Sequence, residues 1–297
     1  MISRSGTHIE PVSSGRTRAQ LRPKVTASRL RQFAVSAVWW VLSVGIVMAI
    51  WEIAAALHLI NAVILPPPHV FIAELQNQAQ FLMPQVGVQR IGLHFAALTA
   101  IWATLRRVLI GLVLAFATAL IIGSLAFYLS IFRKLTFPTI TLLAPVAPAA
   151  WIPFAILAFG FGDSAAIFIV FVGIFFTLTL ATVNNMNNVD QVYINTARVL
   201  GASRRQVLQH VIFPAILPSL FIIVRMNLFG AWMGVLGAEM VGVRTGLGAV
   251  VVVGRQMMNM NLTFLGMAMI GIVGYLLDVG LSLIQRRVLW WKSSAQL

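Results

Sequence analysis

Residues 195–214 read NTARVLGASRRQVLQHVIFP, and they gather Arg198, Arg204, Arg205, Gln206, Gln209 and His210 into one short stretch of an otherwise apolar chain. These polar residues are laid over Ala197, Val199, Leu200, Val207, Leu208 and Val211, which is the pattern of a short amphipathic helix. Gly201 offers a sharp turn or a close backbone approach, and Pro214 suits the start of a following helix. Such a segment can serve as a docking element for a soluble partner, or it can be a plain basic loop. Four further ionisable residues, Glu52, Arg225, Glu239 and Asp278, stand alone in or at the ends of apolar stretches, where charge is costly and faces protein or water. Internal pairing accounts for Glu52 and Asp278. For Arg225, a cation that helps an anion along a pathway is an alternative to pairing.

The chemistry that these residues leave out is as informative. The lysines are Lys24, Lys134 and Lys292, and none completes a phosphate-cradling G-x-x-x-x-G-K-[ST] loop. The histidines (His8, His58, His69, His94 and His210) are scattered and form no H-E-x-x-H pair, no G-x-S-x-G elbow occurs, and cysteine is absent. The expectation is a chain with no catalytic residues, no metal site and no cofactor of its own.

The elements that carry these residues follow from composition. Hydrophobic residues make up 60% of the chain and charged residues 9%, with a mean hydropathy of +0.92. A soluble domain is about a quarter charged, so lipid is the expected solvent, and helices are the natural way to satisfy the backbone there. Spans are expected over Ser36–Ile60, Val108–Phe132, Leu135–Gly162, Ser164–Val189, Ile212–Met240 and Gln256–Leu277. Pro138, Pro145, Pro148 and Pro153 should kink or break the third. The fold class is therefore an all-α polytopic membrane protein of about six transmembrane helices.

Positive charge orients them. Arg4, Arg16, Arg18, Arg22, Lys24, Arg29 and Arg31 precede the first span, Arg133 and Lys134 follow the second, and Arg286, Arg287 and Lys292 close the chain. With Arg198, Arg204 and Arg205 they place both termini and residues 190–206 in the cytoplasm. Arg106 and Arg107 fit less well, because they sit early in a helix that enters from outside. The expected organisation is a basic cytoplasmic tail over 1–35, a first helix with a periplasmic segment over 36–97, and a core over 98–290. The segment from His69 to Met83 is expected to be an interfacial helix after the Leu65-Pro66-Pro67-Pro68 turn.

The stretch 195–214 resembles the cytoplasmic E-A-A-x3-G-x9-I-x-L-P signature of ABC importer permease subunits. Asn195-Thr196-Ala197, Gly201 and Val211-Ile212-Phe213-Pro214 fall in its spacing, with Asn195 and Thr196 in place of the acidic residue and the first alanine. From about Leu65 onward, LPPPHVFIAEL, LRRVLIG, PVAPAAWIPFAILAFGFGDSAAIF, GAEMVGVRTGLG and YLLDVGLSLIQRR resemble the branch that imports nitrate, sulfonates and taurine. This resemblance implies a type I ABC importer permease fold in the bacterial inner membrane. It implies a second permease copy, two ATP-binding subunits that hold the ATP and Mg, and a periplasmic substrate-binding protein, with no nucleic acid involved. Asn195, Thr196, Ala197, Arg198, Gly201, Ala202, Ser203 and Pro214 would form the coupling helix and its flank, near 195–205. Trp151, Arg225 and Glu239 are candidates for the translocation path. The solute would be small and anionic or zwitterionic, such as nitrate, sulfonate, taurine or bicarbonate. A pyrimidine-type thiamin precursor is an alternative, as is a stand-alone carrier or channel.

Overall fold

The structure, a computed structural model, describes residues 23–57, 66–78, 81 and 93–289. The basic stretch through Arg22, the far end of the interfacial segment at Met83, and Arg90 and Lys292 lie outside the described residues. The chain divides into two compact units, Met1–Ala62 and Val63–Leu297.

The described element of the first unit is α1, Pro23–Ala56. Pro23 occupies the first helical position, where its missing N–H would be unpaired anyway. No glycine or proline follows until Gly45, so the helix runs straight across the boundary expected at residue 35. The described part of the expected tail is thus helical from Pro23 onward. The described residues of α1 include the apolar stretch Val41–Ala56.

Every regular element among the described residues of the second unit is helical. After α2 (Pro68–Glu74) and a 3-10 turn over Leu75–Gln78 come α3 (Leu93–Tyr128), α4 (Ser130–Leu143), α5 (Ile152–Phe159) and α6 (Asp163–Asn187). Then follow α7 (Gln191–Val199), α8 (Arg204–Val207), α9 (Phe213–Gly242), α10 (Leu247–Gln256) and α11 (Met260–Val288). Among the described residues four helical rods, Phe95–Tyr128, Asp163–Asn187, Arg204–Gly242 and Met260–Val288, are long and apolar enough to cross a membrane. The proline-rich third span is broken as expected: α4 and the Pro148–Phe159 segment bend by 102°, and they make a fifth span if counted as one.

At the centre lies α6, packed against α3 and α9 along most of its length and touching α4 and α5. The α3 face turned to it carries Ala96, Ala100, Thr104, Val108, Gly111, Ala115, Ala119 and Ala126, all buried. A Cβ on Gly111 would stand 2.6 Å from Val170 Cβ, and one on Gly123 would stand 2.7 Å from Thr182 Cγ2. Lipid tails are as apolar as leucine, so membrane helices gain by close backbone approach, and small residues at a spacing of three or four permit it.

Candidate functional site

The two ends of the bundle carry different chemistry. At one end α6 runs into α7, and the Tyr128 hydroxyl at the end of α3 lies 3.4 Å from the Arg204 carbonyl. At the other end lie Asp163, the first residue of α6, and Glu239, near the end of α9. A helix of 25 residues separates the two ends by roughly 37 Å at 1.5 Å per residue.

The 195–214 segment folds as a short helix between two rigid stops. Asp190 caps the start of α7, accepting a bond from the Val192 N–H at 2.9 Å. At its other end, the Ala202 N–H donates to the Ala197 carbonyl (3.0 Å) and the Gly201 N–H donates to the Arg198 carbonyl (2.9 Å). Those paired bonds define a Schellman stop, which needs a left-handed residue after the cap. Gly201 supplies it, with φ of +85°. Ser203 and Gln206 then form a reciprocal capping box that starts α8. Pro214 is the second residue of α9, at the helix start as expected, and the turns ahead of it continue into the same rod from Arg204 to Gly242. A π turn over Leu208–Ile212, in which the Phe213 N–H reaches back to the Leu208 carbonyl, opens the helix ahead of the proline ring.

The exposure pattern corrects the expected underside of this helix. Ile194 and Val207 are buried, and Ala197 and Ala202 half-buried, whereas Val199 and Leu200 are 87% and 82% exposed. Val192 and Tyr193 are exposed as well, beside Asn195, Thr196, Arg198 and Ser203. Gly201 meets no close neighbour, since a Cβ there would find open space within the chain. Its requirement for glycine is conformational.

At the opposite end Arg107 is 1% exposed and every guanidinium N–H has an acceptor. Nε and Nη2 donate to Asp163 Oδ1 (2.8 and 2.6 Å), Nη1 to Glu239 Oε1 (2.5 Å) and the Thr245 carbonyl (2.8 Å), and Nη2 to Thr245 Oγ1 (2.7 Å). Arg106 also pairs with Asp163. The Glu239 carboxylate further accepts from the Thr104 hydroxyl (2.8 Å) and the Gly248 N–H (2.9 Å), while the Leu247 N–H donates to Thr104 Oγ1 at 2.9 Å. A buried carboxylate therefore sits on the N-terminus of α10, where the helix dipole favours it. Gly246 (φ +112°) and Gly248 make room, because a Cβ on Gly246 would come within 2.4 Å of Glu239 Oε1. The clasp ties α3, α6, α9 and α10 together. It explains why Arg106 and Arg107 tolerate their position, and it pairs Glu239, a candidate for the path, with Arg107. Sequence reading missed Thr104, Arg107, Asp163 and Thr245 as a set. The available signal was a basic pair in an apolar helix, in a chain with only 7 acidic residues to neutralise it.

The remaining expected residues lie between the ends. Arg225 bonds Asp278 across α9 and α11 through Nε (2.6 Å) and Nη2 (2.7 Å), the internal pairing considered for Asp278. Trp151 ends the 3-10 turn Pro148–Trp151, with edge contacts to Phe154 and Phe168 at 5.8 and 6.4 Å between ring centres. Pro148 of the same turn is wedged against Gly173 and Gly234, where added Cβ atoms would meet it at 3.0 and 2.9 Å.

One family model, the binding-protein-dependent transport system inner membrane component, matches residues 111–289. The chain belongs to this family. The permease is 31% identical over 260 residues to the taurine transport system permease protein TauC of Escherichia coli, covering 86% of this chain and 91% of that one. It is 30% identical over 251 residues to the putative aliphatic sulfonates transport permease protein SsuC of Bacillus subtilis, covering 84% and 86%. Its fold matches a chain of the inward-facing MetNI methionine ABC transporter with a TM-score of 0.55, at 20% identity over 66% of this chain and 97% of that chain. The permease is thus a multi-pass inner membrane component with a type I importer permease fold, and it is not an enzyme.

A pair of helix ends in the permease gives a direct test of backbone strain. The α10 terminus repeats the Schellman bonds of α7, with Met258 N–H to Arg255 carbonyl (3.2 Å) and Asn259 N–H to Gly254 carbonyl (2.9 Å), but Met258 holds the left-handed position at φ +52°. Gly201→Ala is expected to destabilise its turn by about 1 kcal/mol and Met258→Gly to stabilise its own by a similar amount. Gly246→Ala should be worse than Gly201→Ala, because strain is joined by collision with Glu239. Thermal melts of the purified variants in one detergent check the order Met258→Gly, wild type, Gly201→Ala, Gly246→Ala.

Proposed function

We propose that this permease forms the translocation path of an ATP-driven importer for a small anionic or zwitterionic solute of the sulfonate kind. The observation that carries the reading is the apolar surface of Val192, Tyr193, Val199 and Leu200 on a capped helix. Four large apolar side chains face outward on an element that Arg198, Arg204 and Arg205 keep out of the lipid core. A soluble partner that buries them, an ATP-binding subunit, is what such a surface suits. Asn195, Thr196, Ala197, Arg198, Gly201, Ala202 and Ser203 would form or flank the seat, and Pro214 would lie in the rod that transmits its movement. ATP and Mg would be held by that partner, in two copies, with a second permease copy completing the path and a periplasmic binding protein delivering the solute. Trp151 and Arg225 remain candidates for the path wall, Arg225 with its charge shared with Asp278. The taurine and sulfonate relatives support the solute class.

In this reading the α7 end is cytoplasmic and the Arg107 clasp faces the periplasm. Tags after Leu297 and within 190–206 should both report the cytoplasm, and a probe at Gln76 should report the periplasm. A periplasmic signal from 190–206 would remove the docking role.

A further inference from the structure

We propose that a cavity beside the clasp is a reception site for the anionic group of the solute, with Arg244 as its recognition residue. A cavity of about 710 Å³ opens where the end of α9, the turn after it and α10 meet, at the end of the bundle opposite α7. Its walls mix polar and apolar surface in nearly equal parts, the apolar part coming from side chains such as Phe161, Met240, Val243 and Val252. Three polar side chains, Glu239, Arg244 and Gln256, interrupt the apolar part. A volume of a few hundred cubic ångströms, with an apolar wall and a small number of polar groups that fix orientation, is within the range of small-molecule sites.

The charge balance selects the ligand. Glu239 also borders the cavity, but its carboxylate is taken up by Arg107, Thr104 and the Gly248 N–H. Two further acids lie at this end among the described residues: Asp163 is taken up by Arg106 and Arg107, and Glu74, outside the cavity lining, accepts from Asn261 Nδ2. Arg244 is exposed and makes no ion pair with any described residue. Among the described residues the cavity therefore carries one uncompensated cation, and the planar guanidinium suits a two-point contact with an oxyanion. The apolar wall suits the short carbon body attached to it. A small organic sulfonate has both parts. The site is also held still, because the clasp fixes both the end of α9 and the start of α10, the two helices that frame the turn bearing Arg244. This inference rests on the import reading for the passage of the solute, but the site itself can be tested without transport.

The absence of cysteine from the chain makes the test clean. A single cysteine at Val252 (Val252→Cys), in the full-length permease in lipid nanodiscs, is labelled with an anionic sulfonatoethyl thiosulfonate reagent or its cationic trimethylammonium counterpart. Each rate is normalised to that with a free thiol in solution. The normalised rates should favour the anionic reagent by about tenfold, and excess methanesulfonate should slow labelling. Adding Arg244→Gln should bring the ratio near one and abolish protection, whereas Arg244→Lys should keep most of the preference. An anionic preference that survives Arg244→Gln, or no preference with Arg244 present, would overturn the proposal. Anionic preference in a chain that fails to import would leave the site standing and sink the import reading instead.

Discussion

Arg107→Met is expected to be among the most damaging single substitutions in the chain, with a loss of about 3–5 kcal/mol of stability. The magnitude follows from what the substitution leaves behind. Glu239 has no exposed side-chain surface and would be left buried with only hydroxyl and backbone donors. Asp163, 39% exposed at the start of α6, can recover water and retains Arg106. Asp163→Asn should therefore cost less than Arg107→Met. Removing both charges, as Arg107→Met with Glu239→Gln, should recover part of the loss, because the orphaned carboxylate is then gone. Non-additivity of that kind marks a direct interaction. The measurement is the melting temperature in detergent of the two single variants and the double variant, together with their accumulation in membranes. An Arg107→Met protein that melts with the wild type would show the clasp to be energetically idle.

A second large effect is expected at the other end, where the fold should be untouched. Val199→Glu and Leu200→Glu place carboxylates on side chains that are 87% and 82% exposed, so the isolated permease should melt as the wild type does. Binding of the ATP-binding subunit should fall by about 2 kcal/mol or more, at least 30-fold, if these residues are anchors of the seat. Co-purification of the two subunits from membranes, with the permease melt as control, reads both halves of this statement. Retention of the partner by the double variant Val199→Glu, Leu200→Glu would return the helix to a surface loop.

Much of the architecture was legible because membrane spans are written in composition. The broken third span followed from Pro145 and Pro148, and the α7 end followed from its basic residues and glycine. Two features were not legible from the residues alone. Periodicity suggests an apolar underside for α7, yet the nine-residue helix buries mainly Ile194, and Val199 and Leu200 turn outward at the Schellman stop. The direction of those side chains is set by the left-handed turn at Gly201, which a helical wheel does not contain. The clasp was hidden for another reason. Thr104, Arg107, Asp163 and Glu239 come from three helices far apart in sequence, and only the packing of α3 and α9 on α6 brings them together. The same packing depends on Gly111 and Gly123, whose spacing marks the seam but not the charges at its end.

The most direct test of the proposed function is uptake of radiolabelled taurine into proteoliposomes containing the permease, its ATP-binding subunit and its binding protein, with ATP supplied on the side of α7. Uptake should require all three proteins and ATP, and the permease alone should hydrolyse no ATP and pass no solute. Leu200→Glu should abolish uptake while leaving the permease folded in the bilayer. A lack of uptake by the complete assembly, with another sulfonate or bicarbonate carried instead, would revise the solute and leave the mechanism. Solute flux through the permease alone, without ATP or partners, would contradict it.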